Sequence, residues 1–319
     1  MLCAYPVSNH VLNLVPSTLL IGNPETTWRE WLKENRAGRD YLCLDPGDAV
    51  QGLPGRICLF RGARPIFARF YGSLDPQRYP HVLLAALADA VAVAEGDLLV
   101  QSFAYRPSPL MRHMTTLVAQ LLRPETILIA SSTSLDLNGF PVGPMSIDLD
   151  KAFPKMVQEA QRKAQWMKLL ENCTPHVVGF KTVSFEGARI GAGSPIDAAT
   201  REKIGLPHAA YAEVCGNSLF VVTDEDIDES QVSRALDLTH TSRPTFARTD
   251  AYNNLYCSFV RQSGEDFGFG IIQSVDWEAG EFTIVNDAVP PAPVRMLRLG
   301  AIQVDPKGRE LGEIRPWQV

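Results

Sequence analysis

The stretch Leu19-Leu20-Ile21-Gly22-Asn23-Pro24-Glu25-Thr26-Thr27-Trp28 sets a glycine, a turn and two hydroxyl residues directly after a short apolar run. Strand, glycine turn, helix is the layout of a phosphate-binding loop. There, backbone N–H groups curl round a phosphate, a lysine reaches the outer phosphates, and a Ser or Thr hydroxyl holds Mg2+. Gly22, Thr26, Thr27 and Arg29 are the residues that could meet a phosphate here. The lysine is missing, and the nearest one, Lys33, falls within the following helix. A second stretch, Tyr41-Leu42-Cys43-Leu44-Asp45-Pro46-Gly47-Asp48, runs a buried strand into a carboxylate and a tight turn. Ligands of open parallel sheets sit beyond the carboxyl ends of strands. Asp45 could therefore hold Mg2+ directly or through water, with Asp48 close by. The commoner role of Asp before Pro-Gly is to cap the turn. Ser102, at the end of a third apolar run, would bring a hydroxyl to the same edge.

Other residue types offer less. The six cysteines, at 3, 43, 58, 173, 215 and 257, form no CxxC pair, which speaks against a zinc or redox motif and fits reduced thiols of a cytoplasmic protein. The six histidines show no ligand spacing. Gly187-Ala188-Arg189-Ile190-Gly191-Ala192-Gly193-Ser194 is glycine-rich but lacks a lysine and the phosphate-loop spacing, so it reads as a turn or bulge. Arg106 and Arg112 could approach a polynucleotide phosphate, though exposed arginines on loops are common. A net charge of -6 gives no global attraction to nucleic acid, which would need a local basic patch. Residues 1–16 carry no Lys or Arg and are broken by prolines, unlike a secretory signal. The most apolar stretch, 82–94, is too short to span a bilayer. The expectation is a soluble chain with no membrane contact.

Stepping outward to the elements, strands are expected at 18–21, 39–44, 97–103 and 126–131, with helices at 26–35, 80–94 and 110–122 between them. Short apolar strands separated by helices predict a parallel sheet covered on both faces. The four strands should be parallel neighbours, and Asp45 and Ser102 should lie near the Gly22 turn. Asn23, Pro24 and Glu25 read as cap, first position and first-turn acid of the helix at 26–35. Short strands are also expected at 56–60 and 65–70. A long helix at 154–172 has Met156, Val157, Ala160, Ala164, Met167 and Leu170 recurring every three or four residues, a stripe expected to face the protein. After about residue 181 the texture shifts to short β-type runs between turn residues, with a stiff connector at 290–293. The domains are drawn at 1–180 and 181–319.

The order of these segments resembles the P-loop polynucleotide 5'-hydroxyl kinase family, whose members act in pre-mRNA cleavage, tRNA splicing and ribosomal-RNA processing. The family's strand after the loop helix ends in a pattern like L-D-x-D-P-G-Q. Here it is Leu42-Cys43-Leu44-Asp45-Pro46-Gly47-Asp48, followed by Pro54-Gly55 and a further strand. An aromatic-Gly segment follows at Phe70-Tyr71-Gly72-Ser73-Leu74-Asp75-Pro76. The family's V-N-T-x-G-W is matched by Val100-Gln101-Ser102-Phe103-Ala104-Tyr105. Residues 189–197, 210–222 and 268–289 resemble later segments, the last a β-hairpin, and the likeness spans roughly residues 15 to 315.

The resemblance implies a P-loop NTPase-like α/β domain with flanking helices, joined to a β-rich C-terminal domain. In an active member it implies ATP and Mg2+ as cofactors and RNA or DNA 5' ends as substrates. It would give Asp45, Asp48 and Ser102 catalytic positions, Asp45 the metal, and Gly22, Thr26, Thr27 and Arg29 the nucleotide. The departures fall on the chemistry: no lysine, no second glycine, Cys43 at the first acidic position, and Ala104 for the later glycine. The favoured expectation is a kinase-like protein with a defective nucleotide site, a pseudokinase that binds or scaffolds a protein or nucleic-acid partner. The rival is an active 5'-kinase with unusual phosphate contacts.

Overall fold

Leu19, Leu20 and Ile21 have no exposed surface, and they form the middle of a seven-stranded sheet. The computed structural model describes residues 15–48, 54–137, 140, 145–171, 173–286 and 294–314. The N-terminal stretch before residue 15 and the connector at 290–293 lie outside them. Two compact units emerge, the first made of Met1–Gln51, Ile57–Ala68 and Asp75–Lys155, the second of Gly52–Arg56, Arg69–Leu74 and Met156–Val319.

The first unit follows the chain order β1 (Ser17–Ile21), β2 (Thr26–Thr27), α1 (Arg29–Asn35), β3 (Asp40–Cys43), β4 (Arg56–Arg61), β5 (Arg64–Phe70), α2 (Pro80–Val93), β6 (Leu98–Gln101), α3 (Pro109–Leu122), β7 (Thr126–Ala130), β8 (Met145–Ile147) and β9 (Asp150–Lys151). The sheet order is β5-β4-β3-β6-β1-β7-β8. β3, β6, β1 and β7 are parallel neighbours, as their apolar runs predict. β4 returns antiparallel to β3. α2 buries Leu83, Ala86, Leu87, Ala90 and Val91 at helical spacing. α3 starts at Pro109, with the Ser108 hydroxyl accepting from the Met111 N–H at 3.1 Å.

The start of α1 corrects the sequence reading. Asn23, Pro24 and Glu25 do not cap a helix, because Thr26 and Thr27 are extended and pair with β9. Two β-branched residues favour that conformation. The helix begins only at Arg29, with Trp28 at its cap and no side-chain cap bond.

The second unit continues with α4 (Lys155–Leu170), β10 (Thr174–Gly179), β11 (Ser184–Glu186), β12 (Ser194–Pro195), α5 (Ala198–Lys203), β13 (Tyr211–Cys215), β14 (Ser218–Val222), α6 (Glu229–Thr239), β15 (Arg243–Ala247), β16 (Leu255–Val260), β17 (Asp266–Asp276), β18 (Glu281–Asn286), β19 (Met296–Val304) and β20 (Glu310–Glu313). One sheet orders β10-β18-β17-β16-β19-β11, with β20 beside β19, and it is antiparallel except at β11. A smaller sheet orders β12-β13-β14-β15. The late hairpin is β17–β18. The units divide at Lys155 and Met156, so α4 and β10 belong with the β-rich unit, upstream of where the sequence texture changes.

Two details hold the 69–74 segment in this unit. Gly72 accepts the Ala301 N–H at 2.6 Å, and a Cβ on Gly300 would sit 2.7 Å from the Gly72 carbonyl, so that approach requires glycine. Asp266 is fully buried as a side chain and accepts from the Ser258 hydroxyl at 2.7 Å, Arg298 Nη1 at 2.9 Å and the Phe70 N–H at 3.0 Å.

α4 also corrects the sequence reading. Its inward face is Trp166 and Leu169, with Gln158, Gln161, Arg162 and Gln165 half-buried, while Met156 and Met167 are 77% and 47% exposed. Arg162 makes a two-pronged bond to Glu310, at 2.8 and 3.0 Å, and Trp166 Nε1 donates to the same carboxylate at 2.9 Å. That anchor fixes the helix's rotation, and the apolar stripe turns outward.

Truncating Asp266 to Ala would leave the Arg298 guanidinium buried beside Ser258 with one carboxylate fewer. A loss of about 3–5 kcal/mol in urea unfolding is expected. A loss under about 1 kcal/mol, within the range of ordinary surface changes, would show the cluster to be peripheral.

Candidate functional site

Hydrogen bonds carry the parallel ladder past the strand ends. The Leu44 N–H donates to Gln101 O at 2.9 Å, Ser102 N–H to Leu20 O at 2.9 Å, and Tyr105 N–H to Gly22 O at 2.8 Å. Gly22, Asp45 and Ser102 therefore stand on one carboxyl edge, where such sheets collect ligands.

At this edge Asp45 closes its own turn. Its Oδ1 accepts the Gly47 N–H at 2.9 Å, the turn-capping role, and its Oδ2 accepts the Ala104 N–H at 3.2 Å, two residues past Ser102. Burial, and then the nearby charge of Asp48, push its pKa up to about 6, against the pull of those N–H donors and of Arg106. Asp48 Oδ2 accepts from Gln101 Nε2 at 2.9 Å, and the Tyr41 hydroxyl donates to Gln101 Oε1 at 2.6 Å. The Cys43 thiol lies 3.9 Å from Asp48 Oδ2. Burial raises the Cys43 and Tyr41 pKa values well above their ordinary range, with the two carboxylates adding to the thiol's rise, so the thiol stays protonated and unreactive. Ser102 is 3% exposed and its hydroxyl has no hydrogen-bond partner among the described residues.

The turn after β1 is closed on itself. The Asn23 N–H donates to Thr26 Oγ1 at 3.2 Å, the Glu25 N–H to Asn23 Oδ1 at 2.8 Å, and the Thr26 N–H to Asn23 O at 3.2 Å. The Thr26 hydroxyl donates back to Asn23 O at 3.2 Å, and Asn23 Nδ2 donates to the Ser132 hydroxyl at 2.8 Å. The Thr27 hydroxyl accepts from the Arg29 N–H at 3.3 Å. A Cβ on Gly22 would meet Thr26 Oγ1 and Trp28 Nε1, both at 3.0 Å. The Trp28 ring is buried and its N–H has no acceptor among the described residues. The Arg29 guanidinium lies 5.3 Å from the Phe153 ring centre and 3.8 Å from Glu30.

The structure thus brings Gly22, Asp45 and Ser102 to one edge with Asp48 beside Asp45, and it occupies Thr26 and Thr27 with local bonds. Gln101, Tyr41, Asn23 and Trp28 were not singled out from the sequence. The Asn-Pro dipeptide signalled a turn at Asn23. Gln101 carried no signal, since its role depends on Asp48 across the sheet. The glycine-rich stretch at 187–194 is a turn, and its Gly191 and Ala192 N–H groups bind the buried Glu213 carboxylate at 2.9 and 3.2 Å. Among the described residues no group of three His, Cys, Asp or Glu could hold a metal. Nor is any described helix long and apolar enough to cross a membrane.

The architecture is a mixed α/β unit with a largely parallel sheet and a separate antiparallel β-rich unit. Solved structures agree. A wild-type Clp1p–Pcf11p complex superposes with a TM-score of 0.53 at 13% identity, over 93% of this chain and 76% of that one. A second structure, of an extended Pcf11p–Clp1p interface and a point mutant that loses ATP, gives 0.52 at 11% identity, over 90% and 75%. The chain therefore shares the fold of these Clp1p structures. No family model matches the sequence, and neither does any curated protein.

Because the folded pKa of Asp45 sits above its unfolded value, its contribution to stability is greatest at low pH. It should fall away as pH rises from the ordinary carboxylate range through about 6. Carboxyl carbon NMR should find Asp45 titrating near pH 6, and Asp48→Asn should lower that midpoint. An unperturbed midpoint would mean that the two carboxylates do not share a buried edge.

Proposed function

We propose that this chain is a polynucleotide-kinase-like protein without a working nucleotide site, which acts by binding or scaffolding a partner. The observation that carries this reading is the closed turn. Asn23, Glu25 and Thr26 direct their N–H groups to Asn23 and Thr26 oxygens, at 2.8 to 3.2 Å, and Pro24 has none to give. A phosphate cradle needs those donors free. Mg2+-ATP does not fit the residues present, because the loop lysine is absent, both threonine hydroxyls are taken, and the Trp28 indole stands against Gly22. A repulsive Glu25 at a helix start plays no part, since α1 begins at Arg29.

The magnitudes favour inactivity. One missing preorganised donor costs about 3–4 kcal/mol in a transition state, and several are missing here. The partner class follows from the fold relatives, whose structures are protein complexes, which supports a protein partner above RNA or DNA 5' ends. A cytoplasmic location goes with this reading, from cysteines scattered along the sequence without CxxC spacing.

Titration of the purified chain with Mg2+-ATP should show no saturable binding at micromolar nucleotide. A radiolabelled-phosphate assay on 5'-hydroxyl RNA and DNA should show no transfer. Transfer that Asp45→Ala abolishes and a distant surface variant keeps would establish an active kinase instead.

A further inference from the structure

The helix α4 is built inside out. Its half-buried side carries glutamines, Arg162 and Trp166, and its solvent side carries Met156, Val157, Ala160, Ala164 and Met167. Such a stripe, about three turns long from Met156 to Met167, is the pattern that normally faces a core. The inversion is not slack, because Glu310 grips Arg162 and Trp166 together. Rolling the stripe inward would break both contacts and leave that half-buried carboxylate without them. The apolar face is therefore held outward by a specific contact, and an ordered exposed apolar face marks an interaction site.

The surroundings of the stripe select its occupant. Lys163 and Lys168 border it on opposite sides, both exposed and neither ion-paired among the described residues. The helix has four basic residues and one acid, in a chain of net charge -6. The apolar residues of its outer face are Met, Val and Ala, without the Trp, Phe or Leu that anchor a helix in a bilayer. Methionine repacks readily against a partner side chain, and two alanines allow close approach at the middle of the face.

We propose that the outer face of α4 docks an amphipathic helix of a partner protein, apolar along one side and acidic at its edges. This gives the scaffold reading a surface. It does not depend on the nucleotide question, since the docking is measured without nucleotide and would survive the finding of kinase activity.

The probe is a synthetic helix-forming peptide, leucine along one face and glutamate on its flanks, labelled for fluorescence anisotropy against the full chain. The control peptide has lysine for glutamate. The acidic peptide should bind saturably and the control at least about tenfold more weakly. Met156→Asp and Met167→Asp should each weaken the acidic peptide by about tenfold or more without loss of thermal stability, since both sites are exposed. Lys163→Glu with Lys168→Glu, which leaves the apolar stripe intact, should weaken the acidic peptide and strengthen the control. Three outcomes overturn the proposal: no saturable binding of the acidic peptide, affinity that these substitutions leave unchanged, or a dimer in sedimentation that Met156→Asp dissolves, which would assign the face to a second copy. Binding of anionic vesicles in place of the peptide would overturn it too.

Discussion

Asn23 sets the character of the sheet edge by what it bonds. Its backbone N–H and carbonyl both pair with Thr26, its side-chain oxygen takes the Glu25 N–H, and its side-chain amide reaches Ser132 beyond β7. Five hydrogen bonds on one residue, two of them to its carbonyl, tie the loop into a closed turn. Two consequences follow directly. Thr26 and Thr27 leave the turn extended and pair with β9, and the helix starts late, at Arg29. The indole of Trp28 then lies against Gly22, in a cluster with Leu20, Leu32, Tyr41, Leu99 and Leu128. What a phosphate would supply to such a loop, acceptors for its N–H groups, the chain supplies itself.

Charge at the edge is handled in the same inward way. Asp45 spends both oxygens on backbone donors of its own turn and of the turn after β6. Asp48 is held by Gln101, which Tyr41 holds in turn. The Asp48 charge raises the Asp45 pKa, as a like charge does where no cation intervenes. The positive influence on Asp45 comes from Arg106, an exposed side chain on the loop after β6, and it is outweighed by burial and Asp48. With its pKa pushed up to about 6, Asp45 is mostly ionised at neutrality and takes up a proton as pH falls through that value.

Much of the frame was legible in the sequence. Continuous apolar runs at β1, β6 and β7, separated by helices, point to a parallel sheet covered on both faces, and the Asp-Pro-Gly at 45–47 placed a carboxylate at the strand end. What was not legible has a physical cause in each case. Asn-Pro serves a helix cap or a side-chain-closed turn equally well, and the choice fell to β9, more than a hundred residues away in the chain. The periodicity of α4 located a stripe but could not say which side faces inward. That depends on Glu310, 148 residues from Arg162, and hydrophobic patterning alone gives the opposite answer. Gln101 looked like an unremarkable end to an apolar strand until Tyr41 and Asp48 met on either side of it.

The central claim, that the turn after β1 satisfies its own donors, is tested most directly by residue-resolved amide hydrogen exchange of residues 23–26, with and without millimolar Mg2+-ATP. The account predicts that the Asn23, Glu25 and Thr26 amides are already protected in the free protein and that nucleotide leaves their rates unchanged. Fast exchange in the free protein that slows on adding nucleotide would show donors waiting for a phosphate, and would contradict it.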